Sequence, residues 1–322
     1  MQNEILEILK TANGYVSGQQ LSDRLGVSRT AVWKAINLLR DKGYTISSST
    51  NKGYILLDAQ SIISKDDIAK HLTTKEFGRN IIILDTVDST NTYAKTCGLD
   101  GATSGTVVIA REQTNGKGRL GRVWQSQKDS GIWMSLLIRP QLSPMEVSSI
   151  TPLTGLAVCK TLNRLFDLDC KIKWPNDVIA GNKKICGTLT EMTAEFDAVE
   201  HIIIGIGINC DNESFPEEIA KKATSVFIET SKKPNKSKLT AEILNDLEKE
   251  LLCCDYKLNT FNVKEYRHLC ATLGKEISFT RGNRYISAVA VDVNPQGELV
   301  AMLSDGTTCT VNSGEVTVQG IY

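Results

Sequence analysis

Two apolar runs, VVIA (107–110) and IWMSLLIR (132–139), are joined by REQTNGKGRLGRVW (111–124). The runs read as strands, so the loop between them is carried by a sheet. Within it Gly116, Gly118 and Gly121 alternate with Lys117, Arg119 and Arg122. Glycine allows close backbone approach and positive φ. Successive amides in such a loop can form an anion-binding nest. The cations add charge-assisted donors, and the arginine fork suits phosphate or carboxylate. No Gly-Lys-Ser/Thr stands at the spacing of a Walker A loop. The segment predicts a grip on a small, strongly anionic ligand. Taken alone it also fits a solvated surface loop or an RNA-contacting tail.

The 322 residues suffice for two or three domains, and 41% hydrophobic with 23% charged content is ordinary for globular chains. Lys+Arg and Asp+Glu both number 37. No global field therefore draws the chain to nucleic acid or membrane, and any such role must come from a local patch. Nine cysteines include no C-x-x-C pair, and His71, His201 and His268 are the only histidines. That excludes a zinc spacing and points to free thiols in a reducing compartment. MQNEILEILK lacks the basic start and apolar run of a signal peptide. No stretch reaches membrane-spanning length, so a cytoplasmic protein without a membrane partner is expected.

The positive patch is N-terminal. Residues 3–11 pattern as a short amphipathic helix. Ser17 and Gln20 form a capping box for a second helix that stops at Gly26. Ser28 caps a third helix ending at Gly43, with Val32, Ile36 and Leu39 inward. Arg29, Thr30, Trp33, Lys34 and Asn37 face outward. Two short helices meeting at 26–27 have helix-turn-helix geometry. YTISSSTNKGYILL (44–57) alternates as a hairpin, or wing, around TNKG (50–53). Residues 15–54 hold six Lys/Arg against two Asp, a local charge of +4. A DNA-binding winged module is the functional reading and a structural three-helix module the plain one. Residues 58–64 read as a linker, and Ser64 caps the next helix.

Farther on, the apolar strand at 81–84 runs into DTVDSTN (85–91), which opens a helix to about Leu99. Strand-to-helix junctions are where open α/β sheets bind ligands, although plain N-capping by Ser89, Thr90 and Asn91 also explains the cluster. Ser143, Pro144 and Glu146 form a capping box for a helix to Phe166. KIK (171–173), then KWPND (173–177), then strands meeting at Asn182 follow. IIIGIGIN (202–209) is an apolar strand whose two glycines let a ligand lie on the backbone. Residues 210–226 read as a mobile loop, a candidate lid. Helices are expected at about 238–260 and 263–271. From Lys275, short alternating strands with turns at 281–283 and 295–297 predict a small β-barrel without a catalytic set.

Seven motifs in series resemble the bifunctional bacterial biotin protein ligases, which also repress biotin genes. They are the winged helix-turn-helix, DSTN (88–91), GKGRLGR (116–122), KWPND (173–177), KKICG (183–187), GIGIN (205–209) and SGEV (313–316). The resemblance spans essentially the whole chain. Two departures are Lys117, where arginine is also common, and Leu120, where a basic residue is common. The resemblance implies an α+β multidomain fold with three parts. These are a winged helix-turn-helix at 1–60, a mixed α/β catalytic domain of the class II synthetase/biotin ligase type at 65–272, and an SH3-like β-barrel at 273–322.

It also implies a two-step reaction. Biotin's carboxylate attacks the α-phosphate of ATP, giving biotinyl-5′-adenylate and pyrophosphate. A lysine of the biotin carboxyl carrier protein of acetyl-CoA or pyruvate carboxylase then attacks the anhydride, and AMP leaves. No enzyme nucleophile is needed, which fits the lack of a Ser-His-Asp or Cys-His set. Mg²⁺ accompanies the triphosphate, with no protein-only metal site. By resemblance Ser89, Thr90 and Gln113 hold the ureido end of biotin, Lys117, Gly118 and Arg119 wrap the ligand, and Asn91, Gly116 and Gly187 are further biotin-binding positions. Lys184 bridges the carboxylate and the α-phosphate. Arg119, Arg122, Trp124, Asn176 and Asn209 attend the nucleotide, Trp124 beside the adenine. Asp177 orients the incoming lysine or serves a turn. Ser28, Arg29, Thr30, Trp33, Lys34, Asn37 and Lys52 face operator DNA, with a homodimer promoted by the adenylate. A DNA-binding regulator without ligase activity and a lipoate-type acyl ligase are the alternatives.

Overall fold

The computed structural model describes every residue except 13, 42–43, 59–61, 196–197, 259, 283 and 313–315. The SGE of SGEV, the helix stop at Gly43, the middle of the 58–64 linker and Asn283 therefore lie outside the described residues. The chain forms two compact units, Met1–Ile63 and Ser64–Tyr322.

In the first unit, α1 (Gln2–Thr11), α2 (Gly18–Leu25) and α3 (Arg29–Asp41) precede β1 (Thr45–Ser49) and β2 (Gly53–Asp58). The capping box forms as the sequence predicts: Ser17 Oγ accepts from Gln20 N, and the Gln20 side chain accepts from Ser17 N. Gly26 takes φ +64 and ends α2. Ser28 Oγ accepts from Ala31 N at 3.2 Å. Ile5, Leu9, Leu21, Val32, Ile36 and Leu39 form the core. β1 and β2 pair antiparallel, and Val16 bridges Tyr54, so the wing is tied to the α1–α2 connection.

The second unit opens with α4 (Lys65–Ala69), capped by Ser64 as expected. Its seven-stranded sheet has the order β3-β4-β5-β9-β8-β7-β6. The strands are β3 (Ile81–Val87), β4 (Val107–Gln113), β5 (Gly131–Ile138), β6 (Cys170–Lys173), β7 (Asp177–Ala180), β8 (Lys183–Glu195) and β9 (Ala198–Asn209). β3 and β4 are parallel, joined by the crossover helix α5 (Thr90–Leu99), and the other pairs are antiparallel. Strand period 2 sorts β9. His201, Ile203, Gly205 and Gly207 face α5, while alternate residues face α6 (Ile150–Phe166). Ala94 of α5 packs with Val108, Leu137 and Ile203, whereas Thr151 of α6 bonds Thr190 on the opposite face.

Four expectations change. The capping box at Ser143 starts a 3₁₀ stretch, Pro144–Ser149, before α6, and at its end Ser149 Oγ reaches the Glu146 and Tyr256 carbonyls. Residues 210–226, expected as a loop, are partly ordered into secondary structure. They contain α7 (Glu217–Ala220) and lead into α8 (Val226–Thr230), and Lys236 pins their start. Lys236 is 1% exposed and binds Asp211 and the Asp129 carbonyl. The helix expected to reach 260 is α9 (Lys236–Leu252), because Asp255 and Tyr256 turn left-handed (φ +48 and +59) and Tyr256 N closes on Leu251 O. α10 (Thr260–Leu269) follows.

The last piece comprises β10 (Glu276–Arg281), β11 (Arg284–Val293), β12 (Leu299–Met302), β13 (Thr308–Val311) and β14 (Val316–Val318), in the order β13-β12-β11-β10-β14. Among the described residues no ladder joins β13 to β14, so the expected barrel is an open five-stranded sheet. It docks on the KWPND segment: Trp174, 2% exposed, donates from Nε1 to Gly297 O at 2.9 Å.

Candidate functional site

Cross-strand register builds the floor of a cleft on the α5 face. Gly207 lies between Trp133 and Gly187, and Gly205 between Ser135 and Leu189. A Cβ on Gly207 would stand 2.6 Å from the Trp124 ring, and one on Gly187 2.7 Å from the Lys184 chain. The glycines thus hold Trp124 and Lys184 against bare backbone. Trp124 meets Trp133 edge-on at 6.3 Å.

One wall is a buried polar network at the start of α5. Ser89 makes no side-chain cap, so plain N-capping does not account for this cluster. Gln113 Oε1 accepts from Thr90 N and Oγ1 at 2.8 and 3.0 Å, and its Nε2 donates to Ser126 at 2.7 Å. Ser135 Oγ lies 2.8 Å from Thr90 Oγ1 and 2.6 Å from Asn91 Oδ1. Asn91 Nδ2 donates to Glu191 at 2.7 Å. Mutually bonded buried polar groups of this kind fix one another's geometry.

The glycine-rich loop is a hairpin flap. Gln113 pairs with Ser126 and Lys117 with Val123, and Trp124 N donates to Gly116 O. Leu120 (φ +55) and Gly121 (φ +73) form its tip, closed by Arg122 N to Arg119 O. Two positive φ values make this a type I′ turn. Leucine there costs about 1 kcal/mol. At the flap's base Arg111 grips Asp129 through Nε and Nη2 (2.8 and 2.5 Å) and reaches Asp85. The Asp129 hydrogen bonds hold the guanidinium pKa above its ordinary value.

The opposite wall carries the cation. Lys184 Nζ is 2.6 Å from Asp177 Oδ1 and 4.9 Å from the Trp124 ring centroid. Arg119 Nη1 donates to Asn176 Oδ1 at 3.1 Å. Ser89, Thr90, Asn91, Gln113, Lys117, Gly118, Arg119, Trp124, Asn176, Lys184 and Gly187 line the cleft together. Gly116 lies behind it, where a Cβ would strike Trp124 O at 2.4 Å. Arg122 is exposed on the flap and does not line the cleft, and Asp177 backs Lys184 from outside the lining. Asn209 is buried and committed to Thr224 O at 2.9 Å, so it braces the 210–226 segment instead of the cleft. That segment in turn bonds Lys184: Lys184 N to Lys222 O, and Thr224 N to Lys184 O. Trp133, Met134, Thr188, Leu189, Gly205, Ile206 and Gly207 complete the lining.

In the first unit Arg29, Thr30, Trp33 and Lys34 form the exposed face of α3, Trp33 being 54% exposed, and Ser28 lies exposed at its start. Asn37 is half-buried and accepts from Arg40. Lys52 sits at the exposed wing tip, 5.9 Å from the Tyr15 ring.

All nine cysteines are free. Burial pushes the Cys186 thiol well above its ordinary pKa, against the pull of Lys184. Its thiolate is therefore scarce at neutral pH. Iodoacetamide should label exposed Cys253 and leave Cys186 unlabelled by peptide mass spectrometry. Rapid labelling of Cys186 in active protein would contradict this.

A mixed sheet with a glycine-floored cleft under a basic flap, accompanied by a winged helix-turn-helix, defines a protein ligase of the biotin/lipoate class joined to a DNA-binding-type module. The Biotin/lipoate A/B protein ligase family matches residues 83–209, an HTH domain residues 1–55, and the Biotin protein ligase C terminal domain residues 272–318. The chain is 39% identical to the bifunctional ligase/repressor BirA of Bacillus spizizenii over 77% of its length and 78% of that protein's. It is 26% identical to BirA of Escherichia coli over 96% and 94%. The biotin protein ligase of Aquifex aeolicus, solved in complex with biotin and ATP, superposes with a TM-score of 0.65 at 28% identity, covering 75% of this chain and 99% of that one. The chain belongs to the bifunctional biotin ligase/repressor family.

Proposed function

We propose that this protein activates biotin with ATP to biotinyl-5′-adenylate, transfers biotin to a carrier-protein lysine, and represses biotin genes with the adenylate as corepressor. The observation that carries the enzymatic reading is the placement of Lys184. Its ammonium stands at the cleft between Asp177 and Trp124, opposite the Thr90–Gln113 network. A fixed cation at that point lets two anions meet.

In the first step a biotin carboxylate oxygen bonds the α-phosphorus and pyrophosphate leaves. In the second the carrier amine, having lost a proton, attacks the acyl carbon and AMP leaves with the anhydride oxygen. Ser89, Thr90, Asn91 and Gln113 orient the ureido end. Lys117, Gly118 and Arg119 cover the acyl phosphate, and Trp124 with Asn176 flanks the nucleotide. No carboxylate lines the cleft among the described residues, and no group of three or more His, Cys, Asp or Glu side chains there suits a metal. Mg²⁺ enters this reading as the counter-ion of the triphosphate.

Biotin-dependent exchange of labelled pyrophosphate into ATP tests this reading. Exchange requiring biotin supports it, and biotin binding without exchange leaves a ligand-gated regulator. Competition by lipoate for the cleft would favour the acyl-ligase alternative. Arg119→Ala removes a charged donor from the flap and should speed adenylate release about tenfold or more. An unchanged dissociation rate would remove Arg119 from the role.

The exposed cationic face of α3 and the +4 charge of residues 15–54 support operator binding. Paired half-sites call for a homodimer, and linkage requires the adenylate to strengthen it. Sedimentation with and without biotinyl-adenylate tests that coupling. No helix among the described residues is long and apolar enough to cross a membrane. We assign the protein to the cytoplasm.

A further inference from the structure

Behind β14 the chain folds back on the catalytic sheet. Gly320 takes φ +78, Ile321 is 4% exposed, and Tyr322, 36% exposed, lies beside Lys173 of β6 and Asp177 of β7. The Tyr322 hydroxyl donates to Asp177 Oδ2. Its ring carries the Lys173 ammonium 3.5 Å from the centroid. Lys173 and Asp177 are direct partners across the β6/β7 ladder. The other oxygen of the same carboxylate, Oδ1, holds Lys184 Nζ at 2.6 Å. One carboxylate thus bridges a phenol from the five-stranded sheet's tail and the cation of the cleft.

A carboxylate has two-fold torsional freedom about its terminal bond, so an aspartate bound at one oxygen still rotates. Asp177 is held at both oxygens, by the Tyr322 hydrogen bond at Oδ2 and by the Lys184 ion pair at Oδ1, and the two contacts together restrain that rotation. Lys184 has a long flexible stem bedded on Gly187 and Trp124, and Asp177 is the charged partner at its tip. A misplacement of the cation near 1 Å is enough to weaken catalysis by about a hundredfold.

We propose that Tyr322 is a positioning residue for adenylation: its hydroxyl fixes Asp177, and Asp177 aims Lys184 at the meeting point of the two anions. The inference rests on the adenylation reading above. It assigns Asp177 the task of aiming the cleft's own cation, and it makes the chain beyond β14 part of the reacting machinery.

The test is Tyr322→Phe in the full chain, which keeps the ring under Lys173 and removes only the hydroxyl. Pyrophosphate exchange should show kcat lowered roughly tenfold, the loss of one charge-assisted hydrogen bond, with KM for biotin and ATP within about twofold. Added to Asp177→Asn, the same substitution should cost nothing further, because its target is already changed. Thermal unfolding checks that Tyr322→Phe is folded. A kcat within twofold of the parent, a change confined to KM, or losses that multiply in the double variant would each overturn the proposal and leave Tyr322 a docking contact. Absence of exchange in the unaltered protein would instead overturn the adenylation reading.

Discussion

Lys184→Ala is expected to lower biotin-dependent pyrophosphate exchange about a thousandfold, or roughly 4 kcal/mol of transition-state stabilisation. The size follows from the role proposed for the cation. Carboxylate and triphosphate repel as they approach, and the attacking and leaving oxygens share that charge at the transition state. A preorganised ammonium there acts without reorganisation when the reaction occurs. The fold should survive, because the Lys184 side chain is 25% exposed, its ion pair lies at the cleft edge, and Asp177 keeps the Tyr322 donor. Its backbone bonds to Lys222 and Thr224 do not depend on the side chain. Thermal unfolding close to the parent with exchange lost is the expected pair of results. Exchange within tenfold of the parent would remove Lys184 from the reaction.

Local chemistry in this chain was legible because it is local. The Ser17 box, the Ser64 cap, the turn at Asn182 and the strand–loop–strand frame around 111–124 each need only neighbouring residues. The alternation in IIIGIGIN even places Gly205 and Gly207 on one face. What it cannot supply is register. That Gly207 stands opposite Trp133 and Gly187, so that Trp124 has a flat bed, depends on two separate strand pairings. The placement of Asn209 was not legible for a related reason. Its motif ends beside the cleft, but the side chain turns to Thr224, a partner 15 residues on. The 210–226 segment looked mobile from its composition. A buried ammonium of Lys236, itself the first residue of α9, holds its start at Asp211. The end of α9 is not legible in the sequence because left-handed Asp255 and Tyr256 carry no glycine to signal the turn. Tyr322 offered no pattern at all.

Gly205→Ala is expected to abolish measurable biotin binding and to destabilise the second unit by about 2–4 kcal/mol. The added methyl would lie 2.2 Å from Asn91 Oδ1 and 2.9 Å from its Cγ. Asn91 is 5% exposed and bonded on both sides, to Ser135 and to Glu191. It therefore cannot retreat without leaving those partners unsatisfied, and an unpaired buried polar group costs about 1–3 kcal/mol. The disturbance does not stop at Asn91. Ser135 Oγ also touches Thr90, and Thr90 holds Gln113, so the whole polar wall of the cleft shifts with it. β9 is a central strand between β5 and β8, which leaves the backbone little room to move away. Isothermal titration with biotin reads the first effect and thermal unfolding the second. Loss of binding with a lowered melting temperature is the joint signature of a wall built on one missing side chain. Parent-like biotin affinity in a folded Gly205→Ala protein would mean that the Asn91 network shapes the sheet but does not hold the ligand, and the biotin-binding roles given to Ser89, Thr90, Asn91 and Gln113 would fall together.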